Sequence, residues 1–163
     1  MIKKINNLFV TLFGIGKIKK IPGSLASLTT IFILYFLFHV LNISPNIILF
    51  FLLIIFLFSL YSINIYIKDL TDKDPKEVVI DEFVGQSIPI SLYEVAHATT
   101  RNNYEIIKFY FIMFVLFRIF DILKPYPVSY YDKNFKNSFG IMMDDVCAGL
   151  YVVAIMVLYM VLS

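Results

Sequence analysis

The chain has 163 residues, of which 60% are hydrophobic and only 16% charged, with 17 Phe, 11 Tyr and no Trp. A water-soluble domain of this length balances those classes far more evenly, so a bilayer must take up much of the apolar surface. A net charge of +2 is too small to argue for nucleic acid, and one cysteine, Cys147, excludes an internal disulfide and a cysteine-built zinc site.

Taken in chain order, Ile2, Ile5, Leu8, Phe9, Leu12 and Phe13 recur at helical spacing with Lys3, Lys4, Asn6 and Asn7 between them. That pattern predicts an amphipathic helix lying on a membrane surface, ended by Gly14 and Gly16. It lacks the early apolar run and small-residue cleavage site of a signal peptide. After the basic loop KIKKIPGS, the uncharged run Leu25 to Leu41 is long enough to cross a hydrocarbon core. A turn at Asn42 to Asn46 containing Pro45 leads into a second apolar run, Ile47 to Ile67, and the two predict a hairpin. The loop KDLTDKDPKE carries both signs of charge and reads as solvated.

Three further segments follow. Ile106 to Leu123 is a span interrupted by Arg118 and Asp121, and Val146 to Leu162 closes the chain. With those alone, Asp81 and Glu82 would face the opposite side from Asp144 and Asp145. The stretch Lys76 to Tyr93 resolves this: about eighteen residues at 1.5 Å each give roughly 27 Å, nearly a full crossing, despite Gly85, Gln86 and Pro89. The expected fold is therefore all-α, a polytopic membrane helical bundle of about five membrane helices plus the N-terminal interfacial helix, with residues 1–163 as a single domain. Of the Lys and Arg residues, only Arg101 and Lys108 then fall on the far side, which makes the near side cytoplasmic.

Four polar motifs meet on that near side: IPGS at 21–24, VIDEFVG at 79–85, FRIFDILKPYP at 117–127 and GIMMDDVCAG at 140–149. Each has a plain structural reading when taken alone. Asp144 and Asp145 could cap the last helix, Asp81 and Glu82 could be ordinary first-turn acids, Arg118 and Asp121 could neutralise each other, and Ser24 could cap the first span. Together they read differently. Five carboxylates at the ends of neighbouring apolar helices repel unless a cation sits among them, and Mg²⁺ is a hard ion that joins carboxylates to a substrate phosphate. Arg118, Lys124 and the lysines of the first loop add an anion site, and amides at the start of the first span could cradle a phosphate.

Competing motifs fail on inspection. GIGKIKK is no P-loop, since Ile18 follows Lys17 and no strand precedes it. Cys147 has Val153 where a cysteine phosphatase needs Arg. Asp72 and Asp74 have the spacing of an aspartyl nucleophile motif, but Lys76 stands where Thr or Val is required. His39 and His97 lie far apart in sequence without ligand spacing.

The blocks GIGKIKKIPGSLASL, IDEFVGQ and FRIFDILKPYPVSYYDKNFKNSFGIMMDDVCAGLY resemble those of the phosphatidylglycerophosphatase A family of bacterial membrane lipid phosphatases. The likeness covers nearly the whole chain. One departure is NSFGIMMDD, where Ser138 and Phe139 precede a single Gly140 instead of the family's paired glycine. The resemblance implies Mg²⁺-dependent removal of the terminal phosphate of phosphatidylglycerophosphate, giving phosphatidylglycerol, at the cytoplasmic membrane. On this reading Asp81, Glu82, Asp121, Asp144 and Asp145 hold one or two Mg²⁺ ions, with Asp132 a weaker candidate. Arg118 and Lys124 grip the terminal phosphate, Gly23 and Ser24 line its seat, and Tyr126, Tyr130 and Tyr131 lie at the interface. Water attack and an aspartyl phosphate both remain open. The alternative from another class is an ion-coupled membrane transporter using the same carboxylates, which requires polar groups to continue along the spans to the far face.

Overall fold

The computed structural model describes residues 2–97 and 102–162, and every regular element within them is helical. Arg101, assigned above to the far loop, and the side chain of Ile2 lie outside the described residues. The helices are α1 (Ile2–Val10), α2 (Pro22–Tyr35, extended by a π-helical turn, Phe36–Val40), α3 (Pro45–Ile67), α4 (Ile80–Ala96), α5 (Asn103–Leu123), α6 (Val128–Asn134) and α7 (Ser138–Leu162). Among the described residues, three helical segments are long and apolar enough to cross a membrane: Pro22–Val40, Pro45–Ile67 and Ser138–Leu162.

The elements follow their local chemistry. Pro22 and Pro45 stand in the first turns of α2 and α3, where the missing N–H costs nothing. Four hydroxyls inside the helices bond within their own helix: Ser27 donates to Gly23 O, Thr30 to Ala26 O, Ser59 to Ile55 O and Ser87 to Phe83 O. None of these groups then needs water. Helix α1 docks on α3 through the Phe9–Phe58 ring contact at 4.8 Å and the bond from Asn6 Nδ2 to Ser62 O. Its Val10 is fully buried while Ile5, Leu8 and the following Phe13 stay exposed, as a surface-lying helix requires. The chain leaves α1 through Leu12 and Phe13, both at positive φ, before Gly14 and a 3-10 turn at Ile15–Lys17.

Helix α4 sits at the centre, packed against α2, α3, α5 and, most extensively, α7. It is shorter and more polar than the three apolar segments, yet Gln86, Ser87 and Ser91 on it are fully buried. Neighbouring helices, not lipid, surround those groups. Contact with α7 is close enough that α4 meets it backbone to backbone at Gly85 and Gly149. At the end of the bundle away from α6, His39 Nε2 lies 3.3 Å from Glu94 Oε1, and the Tyr110 hydroxyl donates to that same oxygen at 2.8 Å. This ties the π-turn after α2 to α4 and α5. His97 stacks on Tyr93 and its Nδ1 lies 3.0 Å from Tyr93 O.

Two expectations need correction. Ser24 does not cap α2, because the cap is Ile21 at φ 48° and Ser24 lies inside the first turn. Asp144 and Asp145 do not cap α7 either. That helix starts at Ser138, with Gly140 N–H donating to Asn137 Oδ1, so the acid pair lies about two turns inside it.

Candidate active site

A cleft of about 530 Å³ opens where the N-terminal ends of α2 and α4, the C-terminal end of α5 and the first turns of α7 converge. Each of the four motifs picked out by sequence contributes a wall. From α2 come Pro22, Gly23 and Ser24, from α4 Asp81 and Glu82, from α5 Arg118 and Asp121, and from α7 Asp144 and Asp145. Lys124 follows α5 as its C-cap at φ 45°, its N–H closing the helix on Phe120 O.

The five acids divide into two groups. Asp81, Glu82 and Asp145 place carboxylate oxygens within 4.8 Å of one another. Asp81 Oδ1, Glu82 Oε2 and Asp145 Oδ1 are buried acceptors with no hydrogen-bond donor among the described residues. Two like charges 4.8 Å apart at an effective dielectric of 20 repel by about 3 kcal/mol, a repulsion that a bound cation or proton relieves. Such a trio of oxygen ligands suits a hard divalent cation. Asp121 and Asp144 have partners of their own. Arg118 Nη1 lies 2.7 Å from Asp121 Oδ2, one turn along α5. Asp144 Oδ2 accepts from Lys124 Nζ at 2.9 Å and its Oδ1 from the Asp145 N–H. Successive helical residues point about 100° apart, which sends Asp145 toward α4 and Asp144 toward Lys124.

Lys124 also donates to Asp132 Oδ1 at 2.6 Å, so Asp132 enters the site as a lysine partner carried by α6. The ammonium expected to grip phosphate thus bridges two carboxylates. Arg118 retains a buried Nε with no hydrogen-bond partner among the described residues. Gly23 is closely approached by two side chains of the site: a Cβ there would displace the Glu82 carboxylate and lie 3.2 Å from Arg118 Nη1. The first turn of α2 thus borders the cleft at Gly23 and Ser24, where a helix start leaves amides without partners inside the helix.

Sequence reasoning missed Asp74 and Lys76, which it left in a solvated loop although they line the cleft beside Lys19. The Asp72–Asp74 spacing was the available signal, and it has a local role, since Asp74 N–H donates to Asp72 Oδ1. Tyr126 and Tyr130 are exposed, and the Tyr151 hydroxyl donates to Tyr126 O, which anchors the α5–α6 connection to α7.

The Lys124–Asp132 pair predicts a pH window. Burial alone would raise the Asp132 carboxyl, but the hydrogen bond and charge of Lys124, with Lys136 and Lys133, hold it below the usual range. Burial alone would lower the Lys124 ammonium, but bonds to Asp132 and Asp144 raise it above its ordinary value. A depressed acid contributes stability that is present above its unfolded value, about 3.9, and is lost as pH falls through the folded one. A raised lysine contributes below about 10.4 and loses that contribution as pH rises through its folded value. Replacing Asp132→Asn should therefore cost about 1 kcal/mol between roughly pH 5 and 10 and progressively less as pH falls below about 4, as thermal unfolding followed from pH 7 down to about 2 would read.

Helices apolar enough for a bilayer are those of a membrane protein, and its polar cleft gathers orphaned carboxylates that could hold a metal ion beside an arginine. The family model for phosphatidylglycerophosphatase A matches residues 8–160. The chain belongs to the phosphatidylglycerophosphatase A family, a family of phosphatase enzymes. It is 36% identical over 143 residues to the phosphatidylglycerophosphatase A of Haemophilus influenzae, covering 88% of this chain and 81% of the relative. The phosphatidylglycerophosphatase A of Escherichia coli K12 is 35% identical over 83 residues, 51% of this chain and 43% of the relative. A Bacteroides thetaiotaomicron protein, provisionally named a phosphatidylinositol-3-phosphatase, is 43% identical over 79 residues, 48% of this chain and 45% of the relative. No solved structure matches the chain.

Proposed function

We propose that the chain removes the terminal phosphate of phosphatidylglycerophosphate to give phosphatidylglycerol, using Mg²⁺ held by Asp81, Glu82 and Asp145. The observation that carries this is the set of three orphaned carboxylate oxygens in a cleft that Arg118 also lines. Mg²⁺ in such a site polarises phosphoryl oxygens and lowers the pKa of bound water. The chain supplies the rest. Arg118, oriented by Asp121, offers its free Nε to the phosphate, and the α2 amides at Gly23 and Ser24 take a second oxygen. Lys124, fixed by Asp132 and Asp144, keeps a positive charge at the cleft wall. A cluster carboxylate would orient water and take its proton as the oxygen attacks phosphorus. The bond to the glycerol oxygen breaks, that oxygen takes up the proton to become the hydroxyl of phosphatidylglycerol, and inorganic phosphate leaves.

Residues 1–163 act as a single membrane-embedded phosphatase domain on this reading. Five helices, α2 to α5 and α7, cross the cytoplasmic membrane of a bacterium, with the cleft on the cytoplasmic face where nearly all the Lys and Arg residues fall. The burial of the polar residues of α4 by its neighbours supports counting it as a span. Transport is the weaker alternative. Helix α4 does carry buried polar residues as far as Glu94, but the family is one of phosphatases and the orphaned acids gather at one end.

The test is phosphate release by purified full-length chain in lipid vesicles. Release from phosphatidylglycerophosphate should exceed that from phosphatidylinositol 3-phosphate at least tenfold, stop with EDTA and return with Mg²⁺. EDTA-insensitive release would remove the metal, and a preference for the inositol lipid would replace the substrate.

A further inference from the structure

The polar cleft has an apolar exit. Between α2 and α5 a groove of about 440 Å³ runs away from it, walled by Phe114, Val115, Ile119 and Leu123. Ser24, Arg118 and Ile122 belong to both the cleft and this groove. Further along the same two helices lies a second apolar groove of about 340 Å³, whose walls include Leu28, Phe32, Tyr35, Ile107, Tyr110 and Phe111. On α5 these residues recur three and four apart, one stripe down the helix. The remaining cleft rim sets Ile21, Pro22, Pro75 and Val78 among Lys19, Asp74, Lys76 and Lys124, whose charges disfavour a hydrocarbon chain.

We infer that the α2–α5 groove is the seat of an acyl chain of the lipid whose phosphate occupies the cleft. This rests on the lipid-phosphatase reading above and adds where the tail lies. Continuity selects the occupant, since a bound headgroup must release its chains through a wall of the cleft, and this wall is the apolar one. Length agrees. From Ile122 to Phe111 the helix rises roughly 16 Å, close to half of a hydrocarbon core of about 30 Å. One leaflet's chain therefore fills the upper groove and ends at the mouth of the lower one, with Arg118 at the junction of headgroup and tail.

Ile119→Trp fills the upper groove without touching the acids. In vesicles it should lower kcat/KM for the long-chain lipid at least tenfold, mainly through KM, and leave turnover of the deacylated headgroup within twofold. Leu57→Trp, on the outward face of α3, should change neither. As a second measurement, a phosphatidylglycerophosphate bearing a mid-chain diazirine should label the 111–119 and 28–32 segments on illumination, and unlabelled substrate should compete. Equal loss on both substrates with Ile119→Trp, or label spread evenly onto α3, overturns the groove. Groove labelling without phosphate release leaves the lipid seat standing and removes the phosphatase reading. Release accompanied by diffuse labelling does the reverse.

Discussion

Asp145→Asn and Asp144→Asn should shift thermal stability in opposite directions when no divalent cation is present. Asp145 is one of three mutually close carboxylates with orphaned oxygens, and making it neutral removes two of the three repulsions in the cluster. Its unfolding midpoint without metal should rise by several degrees, at about 2–4 °C per kcal/mol for a chain of this size. Asp144 instead accepts from Lys124, and its loss weakens a charged hydrogen bond and leaves the ammonium with one partner fewer. That midpoint should fall by a similar amount, for a cost of about 1.5–3 kcal/mol. With Mg²⁺ the order changes. A ligand at a hundred times its Kd stabilises by about 2.7 kcal/mol, an increment the parent should show and Asp145→Asn should largely lose. Phosphate release by Asp145→Asn should drop at least a hundredfold. An Asp145→Asn protein with the parent's Mg²⁺ increment would refute the metal cluster, whatever its activity.

The contrast between these neighbours also shows where sequence reading stops. Apolar runs made α2, α3 and α7 legible, and IDEFVGQ placed Asp81 and Glu82 in the first turn of α4. The start of α7 was misplaced at Val146 because two adjacent carboxylates look like a boundary. They are tolerated inside the helix because one meets Lys124 and the other meets α4, and neither partner lies nearby in sequence. The same limit hid the tie among His39, Glu94 and Tyr110, which joins residues from three separate helices. Helix α6 has no apolar period to announce it, since seven residues between prolines and a polar turn hold a single buried residue, Val128. Asp74 was lost for another reason. A charged loop has no local pattern that distinguishes solvated residues from those folded over a cleft.

Gly85→Ala should cost activity and stability together, and so separate geometry from charge at the same site. A Cβ on Gly85 would stand 2.6 Å from the Asp145 carbonyl oxygen and 2.9 Å from both its carbonyl carbon and its Cβ. Backbone atoms cannot swing aside, so the only relief is to move α4 away from α7. Overpacking of this kind costs about 1–3 kcal/mol, and the midpoint should fall both with and without Mg²⁺. The functional loss follows from which residue is struck. Asp145 contributes the backbone that Gly85 touches and also the carboxylate that meets Asp81 and Glu82, one turn earlier on α4. The helix contact therefore sets the spacing of the three carboxylates, and a displacement near 1 Å is enough to lower turnover by about a hundredfold. Mg²⁺ affinity, read by titrating the thermal shift, should weaken in parallel, although every carboxylate is still present. Parent-like turnover in Gly85→Ala would mean that the α4–α7 contact does not position the acids, and that the cluster tolerates looser spacing than its geometry implies.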